Sequence, residues 1–486
     1  MRDSDRTTMA FSPCTEAQLQ RIHQASLEVL ERTGVAVQED EARSLLLDAG
    51  AHESAGNRVR IPSWMVKRAL ASAPERVTLW SRDGRPAMPM EPGGRVFFGT
   101  GSDTPNTIDL QSGQRRPAVK DDTRRMATLC DALENMDFVM SMGIASDVPR
   151  STSFVHEFDA MLRGTDKPMV FTAADNRDMQ TIYEIALVLS GSPQAIRERP
   201  WLLLYSEPLS PLQHTKMGTE KLLFCAERGI PCVYVCGLMA GSTGPATLAG
   251  SLAVGNAEGL SGLVISQLKR PGAPFVYGGN VTTMDMRTSV LTYASPEFSL
   301  TNSVFAALGR YYRLPVWGLA GAADSKVVDA QAGSEATLSI LSALLSGGNL
   351  VHDIGYLESG LTSSMEMILL GDEVIPMCRR FVRGVALDDA SFALDLVDEI
   401  GPGGHFLESR HTRDTFRKEH WITRFMDRQR FPAWQTSGGL DMADRLNAAA
   451  RAILDKHAGP TLSEDRCKEI GKILRTRETE DARLGH

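Results

Sequence analysis

Titratable and hydrogen-bonding residues gather where short apolar runs of this chain stop. The run "VFF" at 96 leads into "GTGSDTPNTID", which offers Thr100 and Asp103; "LLLYS" at 202 ends in Tyr205, Ser206 and Glu207. "FVYGG" at 275 ends in Gly279 and Asn280, "VWGLA" at 316 leads to Asp324, and "LVHDI" at 350 holds His352 and Asp353 with Tyr356 and Glu358 just beyond. Residues of these types converging on one point suit the binding or turnover of a small polar or charged molecule. Each also has a plainer role: Asp324 as a helix cap, Asp103 as the closer of an Asx turn, His352 as a satisfied core histidine, Tyr205 and Tyr356 as packing residues. Glu335, with Gln331 four positions earlier on the same helical face, suits a dipole-pairing residue near a helix start. Lys326 in "DSK" is the natural Schiff-base candidate for a barrel lyase or aldolase.

Several chemistries lack their signatures. HExxH, an HxH after the first run, CxxxCxxC and GxSxG are all missing, which argues against a protein-held zinc, a radical iron–sulfur cluster and a serine hydrolase. Seven scattered cysteines do not make a disulfide framework, and Cys232 and Cys236 share one apolar run as buried structural thiols. No metal ligand set is assigned.

The elements that would position these residues alternate. Eight β-prone runs, at 96, 138, 169, 202, 232, 275, 316 and 350, recur every 30 to 45 residues or so. Helical stretches lie between them; Met126, Leu129 and Leu133 form one apolar stripe, and Leu338, Leu341 and Leu345 another. Parallel neighbours need crossovers, and eight such units close a (β/α)8 TIM barrel, an α/β fold in which loops converge at the carboxyl ends of the strands. An open doubly wound sheet is the alternative, but it would need a phosphate fingerprint. The Gly/Ala-rich tract "GLMAGSTGPATLAGSLAVGNAEGLSG" fits either backbone approach to a phosphate or close packing and docking.

Three regions follow. Residues 1–94 read as an N-terminal α+β extension, 95–435 as the (β/α)8 barrel catalytic domain, and 436–486 as a C-terminal helical tail. The 52 basic and 60 acidic residues give a net charge of −8, which argues against nucleic acid or an anionic membrane as partner. No signal-peptide core and no run of about 20 apolar residues is visible, so a cytoplasmic enzyme is expected. A closed symmetric homo-oligomer is the default for such a protein.

"LERTGVAVQEDEARSLLLDAGA", "RVRIP", "STGPATLAG", "NAEGLSGLVISQL", "PGAPFVYGG", "DSKVVDAQAGSE", "GPGGHFL" and "HTRDTFRKEHW" together resemble the trimethylamine methyltransferase family of corrinoid-dependent enzymes, along nearly the whole chain. That resemblance implies a (β/α)8 barrel and methyl transfer from an amine to cobalt(I) of a corrinoid (cobalamin) carried by a cognate corrinoid protein. The trimethylamine enzymes proper use pyrrolysine, whereas this chain is written in ordinary residues and is similar to the branch acting on glycine betaine and related quaternary amines. The resemblance then implies a site for a small quaternary ammonium. Aromatic faces from Phe98, Tyr205, Tyr277, Trp317 and Tyr356 would surround it, and Asp103 and Asp324 would offset its charge. Asn280, His352 or Arg287 would meet a substrate carboxylate, with Asp103 and His352 at the centre. A quaternary-amine binding module with decayed activity and a barrel lyase remain the competing readings.

Overall fold

The computed structural model describes residues 11–54, 57–84 and 86–484. All eight runs become neighbours in one parallel barrel. Its strands are β1 (Phe97–Thr100), β2 (138–139), β3 (Met169–Phe171), β4 (Leu202–Ser206), β5 (Cys232–Tyr234), β6 (Phe275–Asp285), β7 (Val316–Leu319) and β8 (Leu350–Ile354). β8 pairs with β1, and the short β2 joins β1 to β3 through bridges at Gly99–Phe138 and Val139–Met169, which closes the ring. Eight helices follow their strands in turn: α1 (Lys120–Ala132), α2 (Ser153–Gly164), α3 (Asn176–Ser190), α4 (Lys216–Arg228), α5 (Leu248–Lys269), α6 (Pro296–Tyr312), α7 (Ala330–Ser346) and α8 (Met365–Val382).

Strand alternation divides the side chains between two cores. Phe97, Val170, Leu203, Val276, Trp317 and Leu350 point into the barrel, while Phe98, Leu204, Phe275, Tyr277 and Val351 pack outward against the helices. A hairpin of Val77–Trp80 with Pro86–Met90 seals the amino-terminal end of the barrel. Its Val77, Leu79, Met88 and Met90 join the interior cluster, and the Trp80 amide donates to the Pro200 carbonyl just before β4. This hairpin, which lies within the expected N-terminal extension, therefore supplies the barrel's floor, and the helices before it form a layer outside.

That outer layer explains α5. This helix is apolar enough by length and composition to cross a membrane, yet 78% of its apolar window is buried. Helices Glu16–Glu28, Asp40–Asp48 and Ser63–Ser72 lie on one side of it and the barrel on the other. The glycines of the Gly/Ala-rich tract serve this packing. A Cβ on Gly262 would fall 2.3 Å from the Tyr234 ring, and one on Gly255 2.6 Å from the Cys236 sulfur. A four-stranded sheet of the N-terminal layer takes Gln213–His214 of the barrel as its edge strand, parallel to Val35–Val37.

The leucine stripe of α7 marks a helix but faces away from the barrel. Ala332, Ala336, Ser339 and Ile340 form its buried face, whereas Leu338 is exposed and lines a groove with Met426 and Met442. The last barrel helix ends at Val382, so residues 383–435, expected within the barrel, lie beyond its final βα unit. Helix Met442–Lys456 packs on α1 and α8, and helix Glu464–Leu484 on α3. There the buried Arg477 pairs with Asp178 at 3.2 Å and Asp481 at 3.1 Å.

Candidate functional site

A cavity of about 370 Å³ opens at the carboxyl ends of the strands. Ser102 and Asp103 follow β1, Tyr205 lies at the end of β4 with Glu207 just beyond, and His352 and Asp353 lie at the end of β8 with Tyr356 just beyond. The far half of β6 continues past the barrel and pairs with Cys236–Ala240 and Val290–Thr292, raising a rim that contributes Met239, Asn280, Thr282, Leu291 and Tyr293.

Of the residues expected from sequence, Asp103, Tyr205, Asn280, His352 and Tyr356 line this cavity. Trp317 lies directly beneath, its ring 4.3 Å from the His352 ring and 5.4 Å from that of Tyr205. Phe98 and Tyr277 do not reach the cavity, because their strand positions face the helices. Phe98 lies under the Arg379 guanidinium, and the Tyr277 hydroxyl donates to Asn256 at 2.6 Å. In strands buried on both faces, residue type does not reveal which face a side chain takes.

Asp324, Gln331 and Glu335 form a clasp behind the rim. Asp324 accepts from the Tyr293 amide at 2.9 Å and the Ser359 hydroxyl at 2.8 Å; its own amide donates to Glu335, which also accepts from Gln331. These three hold the loop that presents Tyr293 rather than lining the cavity. The cap of α7 is Asp329, whose carboxylate accepts from the Ala332 amide. Lys326 is exposed and donates to the Asp324 carbonyl, away from the cavity, and Arg287 points to solvent beside Asp285.

Three carboxyl groups face the cavity. Asp103 accepts from Thr172 at 3.0 Å and Ser141 at 3.3 Å, yet burial pushes its carboxyl up to about 6. Burial likewise raises Glu207, which accepts from the Tyr205 hydroxyl at 3.2 Å and remains open to the cavity. Asp353 is 1% exposed, sits at φ +89°, and has no hydrogen-bond partner on either oxygen. A non-glycine residue held there stores strain, which marks a position fixed by its surroundings. His352 Nδ1 lies 2.8 Å from Asp353 Oδ1 without the alignment of a hydrogen bond, and both ring nitrogens are unpartnered. Glu157, behind Asp103, is raised well above the usual carboxylate range by burial and by its acidic neighbour.

Tyr356 fixes the mouth. Its hydroxyl donates to the Ser102 carbonyl and accepts from the Ser102 amide, and its ring covers Gly101 so closely that a Cβ there would lie 2.1 Å from the ring. Glu207, Asp353 and Tyr293 are the charged and aromatic lining residues to which the sequence reading gave no role at the site. Glu207 and Asp353 adjoin residues picked out there, but Tyr293 belongs to a loop whose approach only the fold reveals. Three tyrosine rings and three carboxyl groups around so small a space suit an organic cation with a methylated head. The described residues contain no group of three side chains able to hold a metal ion.

Comparison with known proteins gives the family. The family model described as trimethylamine methyltransferase (MTTB) matches residues 1–482. The trimethylamine methyltransferase MttB of Desulfitobacterium hafniense is 31% identical over 96% of this chain and 94% of its own. A glycine betaine methyltransferase of the same species is 32% identical over 94% of this chain and 95% of its own. Among solved structures, the Methanosarcina barkeri monomethylamine methyltransferase shares the fold with a TM-score of 0.51 at 10% identity, covering 98% of this chain and 89% of that one. Matched along almost its full length, the chain belongs to the trimethylamine methyltransferase family and is a methyltransferase.

Proposed function

We propose that the protein takes a methyl group from a quaternary amine held in the strand-end cavity and passes it to cobalt(I) of a corrinoid presented by a partner protein. The observation that carries this reading is the cavity itself, with Tyr205, Tyr293 and Tyr356 as aromatic faces and Asp103, Glu207 and Asp353 as nearby anions. Each well-placed ring contributes about 0.5–2 kcal/mol to holding a cation. The carboxylates add a longer-range attraction that burial strengthens. The likeness to a glycine betaine methyltransferase supports a methylated ammonium as the donor class. The absence of any residue outside the ordinary set supports chemistry that needs no pyrrolysine.

The reaction suits such a site. The new carbon–cobalt bond forms as the carbon–nitrogen bond breaks, and its electron pair leaves as the lone pair of a neutral tertiary amine. No proton has to reach the leaving nitrogen. The chain's residues therefore position the donor: the rings hold the head, the clasped Tyr293 loop and the Tyr356–Ser102 lock keep the walls in place, and one methyl is left facing the open mouth. In-line placement of this kind provides much of the acceleration.

The test is anaerobic methylation of reduced cobalamin, followed by its visible spectrum, with glycine betaine, proline betaine, carnitine, choline and trimethylamine as donors. Methylcobalamin appearing with a quaternary amine is the expected result. If no donor gives methylcobalt, with free or protein-bound corrinoid, but one of them binds tightly, the binding-module reading replaces this one.

A further inference from the structure

α8 ends beside the starts of the barrel strands, where Arg379 donates to the Val96 carbonyl and pairs with Asp137. The chain then leaves the barrel and comes back to the same end, where Arg380 and Arg383 meet Glu419 and the Lys418 carbonyl. Between these anchors, the chain from residue 384 to the return at 418–419 projects as an arm. Helices Asp389–Phe392 and Leu394–Ile400 make its outgoing limb, a turn holds Gly401, Gly403 and Gly404, and helix Arg410–Glu419 is the returning limb.

The two limbs differ in charge. Residues 388–400 include Asp388, Asp389, Asp395, Asp398 and Glu399 and no basic residue. The returning limb sets Arg410, Arg413, Arg417 and Lys418 against Asp414 and Glu419. The ion pairs of Arg410 and Arg413 go to Asp414 on their own limb. Among the described residues, none joins Asp389, Asp395, Asp398 or Glu399 to the returning limb. Between the charges lie large apolar side chains open to water: Phe392 at 51%, Leu394 at 69%, Val397, Phe406 and Leu407 at 81%. A soluble chain rarely leaves so dense an apolar set uncovered unless another surface meets it.

We propose that this arm is a self-association surface, meeting the same arm of a second copy about a two-fold axis. The acidic limb of each copy then lies on the basic limb of the other, with the apolar residues enclosed between them. Charge complementarity selects a second copy, since one arm carries both halves of the match, as an isologous contact requires. Position agrees: the arm springs from the floor end of the barrel, opposite the cavity, so a paired molecule leaves both mouths open. A corrinoid carrier must come to the mouth and cannot cover the arm in the same encounter.

Light scattering of the full chain tests this. Wild type is expected at twice the 53.0 kDa of one chain. The double variant Leu394→Asp with Leu407→Asp changes exposed residues only, and is expected at the mass of a single chain with an unaltered circular dichroism spectrum. Asp395→Lys with Asp398→Lys should weaken association at least tenfold, or about 1.4 kcal/mol. Adding Arg410→Glu and Arg413→Glu to that chain should restore it. A single-chain mass for wild type at every concentration overturns the proposal, as does an assembly that survives both sets of substitutions. Variants that leave the mass unchanged but lose methyl transfer only to protein-bound cobalamin would instead give the arm to the corrinoid carrier.

Discussion

Asp103 is held away from water, and its carboxyl titrates near 6 because burial disfavours the charge. A bound ammonium restores a partner, so the cation favours the ionised form and binding should tighten as pH rises from about 5 to 7. Titration calorimetry across that range checks it; flat affinity would remove Asp103 from the cation's surroundings. Asp103→Asn should weaken a quaternary amine by about 1.4–2.8 kcal/mol, roughly ten- to hundredfold, through the loss of one charge in a partly screened site. A neutral isostere should lose little. At this scale the sequence was legible in part. Asp103, Tyr205, Asn280, His352 and Tyr356 stood out because they end strands, where a parallel barrel gathers its ligands. Phe98 and Tyr277 misled because both faces of these strands are apolar, and one step along a strand reverses direction.

The eight strands were visible as separate runs because each is short, β-prone and followed by a helix. The partner of each helix was less visible. α5 reads as uniformly apolar, and only the packed structure shows that helices Glu16–Glu28, Asp40–Asp48 and Ser63–Ser72 cover its outer side. Its Glu258 is fully buried, accepting from the Leu212 amide at 2.7 Å and Ser210 at 2.8 Å, with its carboxyl pushed up to about 7. The folded state holds this proton more tightly than the unfolded chain, so stability falls as pH rises through about 4.5 to 7, by up to about 3 kcal/mol. Glu258→Gln removes that charge while keeping an acceptor for Leu212. Its melting temperature should gain on wild type as pH goes from 5 to 8; a constant difference would show that the group titrates alike in both states.

For the whole molecule, the division into extension, barrel and tail follows chain order better than it follows packing. Removing residues 1–94 should yield insoluble protein, because it strips the floor from the barrel and uncovers α5; a soluble, active truncation, seen by gel filtration and methyl transfer, would contradict this. The closure of the barrel also governs how the chain reaches its fold. Apart from the single bridge to β2, β1 finds its ladder partner in β8, Phe97 beside Leu350, and Val35–Val37 waits for Gln213–His214. Contacts so far apart in sequence make folding slow and leave unpaired strand edges while a nascent chain is still incomplete. During synthesis the first helices emerge long before α5, the surface they fit. The newborn protein therefore passes through a long interval in which its amphipathic beginning has no home, and its yield in a cell should depend on chaperones more steeply than its final stability suggests.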